Sequence, residues 1–485
     1  MRAQGPLIAG RQAAPAPTPH RWPRQIWFIL GNETAERFSF YGMKGILALY
    51  ITNVLLMTRD DATRIIHLFG FANYFMPLFG AWVSDRYWGR YHTILWISLS
   101  YCLGHGIMAL SDAVPTLDGK VLCLYAGLGL IAFGSGGIKP CVSAFMGDQF
   151  GPDQRHLLPK AYAAFYWCIN LGSTASFLII PWIRKNYGYS WAFGVPGLAM
   201  ALATFVFWLG TKHYVMVPPT RKTRTAGFFR VLLHAYRHRH ERRPGQSFWD
   251  PARARFSDAE VDAAASVGPI LSIFALAPIF WSLFDQTFST WVLQGEKMIP
   301  YRLANYTIGP EEMLSANPIL VMLFVPVLTW WVYPRLGRLA TPLRRMSAGM
   351  FLAALSFVVV AIMQTRLDAG VRFSVLWQIV PYVILTIAEV LFSTTGLEFA
   401  FREAAPSMKS TIMGFWNLTV AFGNLLVTGI TSLAGLVLGD GRGGDVAVTT
   451  TMFLFYAGLT FAVAVLFSLV ASRYRYRDAA AALGK

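Results

Sequence analysis

Charge is the scarcest property of this sequence. Only 14% of its 485 residues are Asp, Glu, Lys or Arg, against roughly a quarter in an average soluble domain. A chain of this length cannot cover itself with a water-soluble surface on so little charge. Cysteine is nearly absent as well: Cys102, Cys123, Cys141 and Cys168 are scattered through apolar stretches with no C-x-x-C pair. That excludes a disulfide scaffold and a cysteine metal site, and the four read as packing residues. The nine histidines form no H-x-x-x-H within an apolar segment, and no G-x-S-x-G follows a strand. A membrane-embedded hydrolase or transferase would need such a nucleophile–base pair or ligand cluster, so the chain is not expected to be an enzyme and no cofactor is expected. Residues 1–24 lack an apolar run before a small-residue cleavage site, so they are not a secretory signal. Their Pro, Ala and Arg read as a short cytoplasmic tail.

What the sequence has in abundance is apolar length. It is 55% hydrophobic, with 36 Phe and 16 Trp, which places it among membrane proteins. A span needs ~20 apolar residues. About twelve segments qualify, at 25–57, 64–88, 91–111, 120–147, 158–183, 189–212, 268–294, 313–334, 343–363, 373–401, 408–438 and 449–472. They divide into two six-helix halves, 25–213 and 268–473, around a polar linker at 214–267, with a second tail at 474–485. In the linker Phe228, Phe229, Leu232, Leu233 and Tyr236 recur at helical spacing among Arg230, His234, Arg237 and His238. That resembles a basic amphipathic helix on a membrane surface, or else a solvated linker. Ser257-Asp-Ala-Glu260 reads as a capping box.

The net charge of +17 raises the question of nucleic acid. With the N-terminus inside, most of the Lys and Arg fall in the segments between spans on the cytoplasmic side, the positive-inside pattern. No nucleic-acid partner is therefore needed; the bilayer is the partner. The loops Asp85-Arg-Tyr-Trp-Gly89-Arg90 and Pro334-Arg-Leu-Gly337-Arg338 also echo one another six helices apart. Such parallel halves are a feature of the major facilitator superfamily, so the expected fold is all-α, with twelve transmembrane helices in two bundles.

Eight charged side chains fall inside the predicted spans: Glu33, Glu36, Arg37, Lys44, Lys139, Asp285, Glu389 and Glu398. Insertion scales assign ~2.5–3.5 kcal/mol to each near a helix centre. Eight unpaired would cost roughly 20–28 kcal/mol, beyond a typical folding stability of ~5–15 kcal/mol. They must pair, hydrate or titrate, and such residues mark a substrate or ion pathway more often than a purely structural pair. Glu33, Glu36 and Arg37 share one helix face at i, i+3 and i+4, which Tyr41 and Lys44 continue. Lys139, late in the inward-running fourth span, reaches a similar depth and is expected to pair with Glu33 or Glu36. Glu398, late in the tenth, reaches that depth from the other half. Cationic groups on one side and a carboxylate on the other could grip a zwitterion by both ends. His67 and Asp285 match in depth in the outer half, as a gate pair would, and histidine titrates most readily near physiological pH.

At this point the motifs become recognisable. Glu33-Thr-Ala-Glu36-Arg37-Phe38-Ser39-Phe40-Tyr41-Gly42 resembles the E-x-x-E-R-F-x-Y-Y-G motif of the proton-coupled oligopeptide transporters. The run from Phe133 through Gly-Ser-Gly-Gly-Ile-Lys139-Pro to Phe150 resembles that family's fourth-helix signature. Phe165-Tyr166-Trp-Cys-Ile-Asn170-Leu-Gly172-Ser173 resembles the fifth. Phe280-Trp281-Ser-Leu-Phe-Asp285-Gln286, Asn317-Pro318 and Gly396-Leu397-Glu398-Phe399 carry the match into the second half. The resemblance implies import of di- and tripeptides with protons. Arg37 and Lys139 would bind the peptide carboxylate, Glu398 its ammonium, and Asn170 and Asn317 its backbone. Tyr41, Tyr74, Trp291 and Trp416 would line the pocket. Glu33 and Glu36 would exchange partners with Lys139 as protons bind, beside the His67 and Asp285 gate. Two features depart from the family: Phe40 stands where the motif has its first tyrosine, and the ninth-to-tenth connection is short. The short connection suggests a bacterial protein. It is expected in the inner membrane as a monomer, with both termini cytoplasmic as the positive-inside pattern has it. Symport of another small anion such as nitrate is the alternative.

Overall fold

The structure is a computed structural model describing residues 21–219, 227–438, 445–474 and 476. Most of the two expected tails, and 220–226 of the linker, lie outside the described residues. Nine helices among the described residues are long and apolar enough to cross a membrane, and a bent pair makes a tenth. One of the nine, Arg59–Ala113, runs for 55 residues. A straight helix of that length would reach about 80 Å, against a hydrocarbon core of about 30 Å. It is two spans: α2 (Arg59–Val83) and α3 (Gly89–Leu110), separated by a π-helical turn at Ser84–Trp88. Gly89 makes the reversal with φ of +73°, a conformation that an L side chain adopts only under strain. The remaining helix, α1 (Gln25–Asn53), carries Glu33, Glu36, Arg37 and Lys44 in its 29 residues. Its charges, not its length, set it apart from the others.

The first half is completed by α4 (Leu117–Asp148), α5 (Leu158–Tyr187) and α6 (Tyr189–Leu209). Within it α3 packs on α4 and α6, α1 on α5 and α6, and α2 on α4. The linker folds into two short helices, α7 (Phe228–Arg237) and α8 (Asp258–Ala265). The capping box at the start of α8 is formed: Ser257 accepts from the Glu260 amide, and the Glu260 carboxylate accepts from the Ser257 amide at 3.1 Å. Arg253 fastens the linker by meeting Asp250, Asp258 and Asp262 at 3.2, 2.7 and 2.6 Å.

The seventh span is the bent one. It consists of α9 (Val267–Phe274), α10 (Pro278–Phe284) and α11 (Thr290–Gly295), with a 45° bend before Pro278. Proline has no N–H to continue the helical ladder, which locates the break. A two-stranded hairpin, β1 (Tyr301–Leu303) with β2 (Tyr306–Ile308), then leads to α12 (Ala316–Val327) and α13 (Tyr333–Leu336). The echo between the halves is structural too: a π-helical turn at Leu328–Val332 precedes Gly337, which has φ of +48°. The chain closes with α14 (Pro342–Asp368), then α15 (Ile379–Glu389) and α16 (Thr395–Glu403) as one span, α17 (Lys409–Leu438) and α18 (Thr450–Arg473).

The halves meet where α2 runs against α17 and α5 against α12. At the hairpin end they are fastened together. Arg184 bonds Glu311 at 2.6 Å, Lys185 meets Glu312, and Asn53 donates to Glu296 at 2.8 Å. Asp60 accepts from the Val446 and Ala447 amides at 3.0 and 2.8 Å. Ion pairs at the linker end, Arg90 with Asp148 and both Arg345 and Arg402 with Glu398, stay within one half.

Close helix approach explains the glycines of the fourth-helix signature. A Cβ on Gly80 of α2 would sit 2.0 Å from the Gly137 carbonyl oxygen of α4. Small residues at such crossings are a recurring means of packing helices in lipid. Gly80→Ala is expected to force α2 and α4 apart at a cost of about 1–3 kcal/mol. The check is thermal unfolding of the detergent-solubilised protein; a melting temperature equal to the parent's would show that the two helices do not touch there.

Candidate functional site

A cavity of about 250 Å³ opens between the halves, near the small end of the ~300–1,000 Å³ usual for small-molecule sites. From the first half, Phe40, Tyr41, Lys44, Tyr74, Tyr166 and Asn170 line it. From the second half come Trp281, Asp285, Asn317, Tyr382, Glu389 and Trp416. It is a polar chamber with aromatic walls. Of the expected site residues, Tyr41, Tyr74, Asn170, Asp285, Asn317 and Trp416 reach it directly.

From one edge of the chamber, at Lys44 and Asp285, a chain of polar side chains crosses from half to half. Lys44 donates to one Asp285 oxygen at 3.2 Å, and the Asn424 amide donates to the other at 2.7 Å. The Asn424 carbonyl oxygen lies 2.8 Å from His67 Nδ1, and Ser289 Oγ lies 2.9 Å from His67 Nε2. With its NH₂ turned to Asp285, Asn424 offers His67 only an acceptor. Nδ1 therefore carries the proton in this arrangement, and Nε2 accepts from Ser289. Ser289 also lies 3.5 Å from the Gln286 carbonyl, so its hydroxyl has a second acceptor to turn to when Nε2 is protonated. The expected direct pair of His67 with Asp285 is thus corrected: Asn424 stands between them, and Lys44 is the direct partner of Asp285.

Beneath that edge, α1 presents its charged face. Arg37 is gripped by Glu33 at 3.1 Å and more closely by Glu36, all three nearly fully buried. Ser135 of α4 donates to Glu36 at 3.1 Å. This corrects the expected pairing of Lys139 with Glu33 or Glu36, because Arg37 on the same helix turn already occupies both carboxylates. Among the described residues Lys139 makes no ion pair. Its ammonium sits 3.9 Å from the centre of the Tyr74 ring and 6.0 Å from that of Phe40. An aromatic face offers a cation partial compensation where water is excluded.

The acidic residue of the second half that faces the chamber is Glu389, not Glu398. Asn317 donates to Glu389 at 2.7 Å and to Thr386 at 3.2 Å. Glu398 is held away by Arg345 at 3.2 Å and Arg402 at 3.0 Å. The two glutamates are nine residues apart in one span with a π-helical turn between them, and of the two only Glu389 lines the chamber. Both were visible as intramembrane charges, but nothing in the sequence says which faces inward. The π-helical turn at Val390–Thr394 directly after Glu389 is a feature frequent at functional sites. Trp291 is also displaced from its expected role. It is fully buried between Tyr382 and Phe357, with ring centres 5.0 and 5.8 Å away, and packs inside the second half. Asn424, Ser289, Ser135 and Tyr166 escaped sequence reasoning, since uncharged polar residues in a span carry no comparable signal.

Two halves of six helices around a central polar chamber define a membrane transporter of the major facilitator type. Residues 91–438 match the sequence profile of the POT family, and the chain belongs to that family. It is 36% identical over 386 residues to solute carrier family 15 member 2 of Mus musculus, covering 76% of this chain and 52% of that one. It is also 36% identical over 367 residues to peptide transporter 3 of Caenorhabditis elegans, covering 73% and 52%. The chain thus spans about half the length of these animal relatives. Among solved structures, an auto-inhibited POT family peptide transporter superposes with a TM-score of 0.85 at 39% identity, over 94% of this chain and 98% of the other. The POT family transporter PepTSo gives 0.85 at 38%, over 94% and 99%.

Asn424→Ala removes both bonds of the bridging amide. It would leave His67 Nδ1 and one Asp285 oxygen without partners, at roughly 1–3 kcal/mol for each stranded group. A clear fall in melting temperature of the solubilised protein is expected, exceeding that of Asn424→Ala in a His67→Ala, Asp285→Ala background. Equal falls in the two backgrounds would show that the amide does not join them.

Proposed function

We propose that this chain is a proton-coupled symporter that imports di- and tripeptides by alternating access. The carrying observation is the chamber itself: a carboxylate, Glu389, faces it from one half, and a tyrosine-lined wall backed by Lys139 and Arg37 closes it from the other. A zwitterionic peptide presents its ammonium to Glu389 and Asn317. Its carboxylate turns to Lys139, and to Arg37 once a proton loosens the guanidinium from Glu33 or Glu36. Arginine suits that contact because its fork can bond both carboxylate oxygens. Asn170 serves the peptide backbone, and Tyr41, Tyr74 and Trp416 serve varied side chains. The Caenorhabditis elegans relative and the auto-inhibited solved neighbour are both named as peptide transporters, which supports this reading. A small anion such as nitrate fits less well, since Glu389 would repel it.

Coupling follows from the two polar clusters. A proton taken by His67 or Asp285 changes the bonds that join the halves, and one taken by Glu33 or Glu36 changes the charge available to substrate. A ligand moves such an equilibrium only by binding one state better than the other. One proton falling through 100 mV contributes ~2.3 kcal/mol, and a unit of pH ~1.4 kcal/mol. Together they set a ceiling of roughly 500-fold accumulation per proton. The setting proposed with this is the plasma membrane, as a bacterial inner-membrane monomer with both termini and the linker cytoplasmic. The hairpin end then faces outward, and the bonds there hold the outer side closed. Protons are the only coupling species in the scheme.

Uptake of labelled dialanine into proteoliposomes tests the proposal. Accumulation under an inward proton gradient that collapses with a protonophore is expected; no uptake by folded, oriented protein would move the substrate to another small solute. The two glutamates separate within the same assay. Glu389→Gln should weaken free peptides roughly tenfold to hundredfold, the loss of a charged hydrogen bond, and spare N-acetylated ones. Glu398→Gln should leave the preference for a free amino terminus intact; the reverse pattern would return the ammonium to Glu398.

A further inference from the structure

The short linker helix α7 has three distinct faces. Phe228, Val231 and Ala235 are buried against the protein. At 100° per residue these three cluster on one side. Roughly a third of a turn away lies a second apolar stripe, Phe229, Leu233 and Tyr236, at i, i+4 and i+7. These are 66%, 48% and 56% exposed: the Arg239 guanidinium lies over the Tyr236 ring at 4.4 Å, and most of the stripe's surface stays uncovered by the protein. On the far side of that stripe stand Arg230 and Arg237, both exposed.

The position of the stripe says what covers it. Phe229 meets Phe415 at a ring distance of 5.9 Å. On α17, Phe415, Phe422, Leu426 and Leu433 recur at i, i+7, i+11 and i+18, one face of the helix. Phe422, Leu426 and Leu433 are 47%, 41% and 62% exposed, as residues facing lipid tails are. The open stripe of α7 therefore continues the lipid-facing surface of a span at its linker-end foot, with the arginines flanking it at headgroup level.

We infer that α7 lies in the bilayer surface, with Phe229, Leu233 and Tyr236 among the acyl chains and Arg230 and Arg237 on the headgroups of anionic phospholipid. The arrangement is that of an interfacial helix, which binds by buried apolar area plus attraction to anionic lipid. Because Phe228 and Phe229 both pack on Phe415, the lipid surface grips the linker and the second half together. The inference does not rest on the identity of the substrate.

The test is hydrogen–deuterium exchange of the full chain in nanodiscs holding one copy each. One set of discs contains phosphatidylcholine alone, and the other contains phosphatidylcholine with 30% phosphatidylglycerol. Two arginines near an anionic surface contribute about 1 kcal/mol each, so amides of 228–237 should exchange roughly 25-fold more slowly in the anionic discs. The double variant Arg230→Gln, Arg237→Gln should lose that difference while keeping the protection seen in neutral discs. Phe229→Ser with Leu233→Ser should lose protection in both. Equal exchange in the two parent discs would overturn the inference, because a covering protein segment would not sense lipid charge. So would stripe variants exchanging like the parent.

Discussion

Everything central in this molecule follows from the cost of holding ions inside an apolar slab. A charge that meets no partner there is lost to the fold, so each one in the spans has been given a companion. Arg37 sits between two carboxylates. Lys44 has Asp285 as its ion partner and the Phe288 ring at 3.8 Å. Lys139 has the ring of Tyr74. None of these solutions is a strong stabiliser, because desolvation consumes most of what the attraction returns. In the proposed symport their value is that they are balanced: a proton or a charged ligand would exchange one companion for another at modest cost.

That balance has a geometric counterpart. The chain of Lys44, Asp285, Asn424 and His67 draws on α1, the irregular seventh span, α17 and α2, and so it ties both halves together. The seventh span is helically discontinuous at the very place where it supplies Asp285 and Ser289: Ser289 has φ of −124° and ψ of −87°, outside the helix that resumes at Thr290. Broken helices in membrane proteins are tolerated where they line a cavity or are buried in protein. The bonds at the hairpin end hold the halves closed, while the linker-end ion pairs lie inside single halves. This is one of the two arrangements that the proposed alternating access would require.

Much of this was legible in the sequence. Twelve spans, the pseudo-repeat, the capping box at Ser257 and the short α14-to-α15 connection follow from hydropathy length and turn chemistry, which act locally. The charged face of α1 follows from i, i+3, i+4 arithmetic. The motif resemblance, not depth arithmetic, pointed to Tyr41, Tyr74, Asn170, Asn317 and Trp416, which all line one chamber. Depth arithmetic placed the charged groups at matching levels. It failed where the question was rotation about a helix axis or competition for a partner. Glu389 lines the chamber and Glu398 does not, and an irregular turn between them sets which one does. Lys139 reaches the depth of Glu33 and Glu36 but finds Arg37 already there, and Trp291 turns into its own half.

The sequence by itself determined how many times the chain crosses the bilayer, which spans carry charge, and that those charges demand partners, because each is a matter of composition along one helix. The tertiary structure decided who the partners are. Asn424 separates His67 from Asp285, Arg37 displaces Lys139, and Glu389 takes the inward face of its span, since these outcomes depend on the rotation and approach of helices distant in sequence. No local rule ranks two candidates at equal depth; only the packed interface between the halves does.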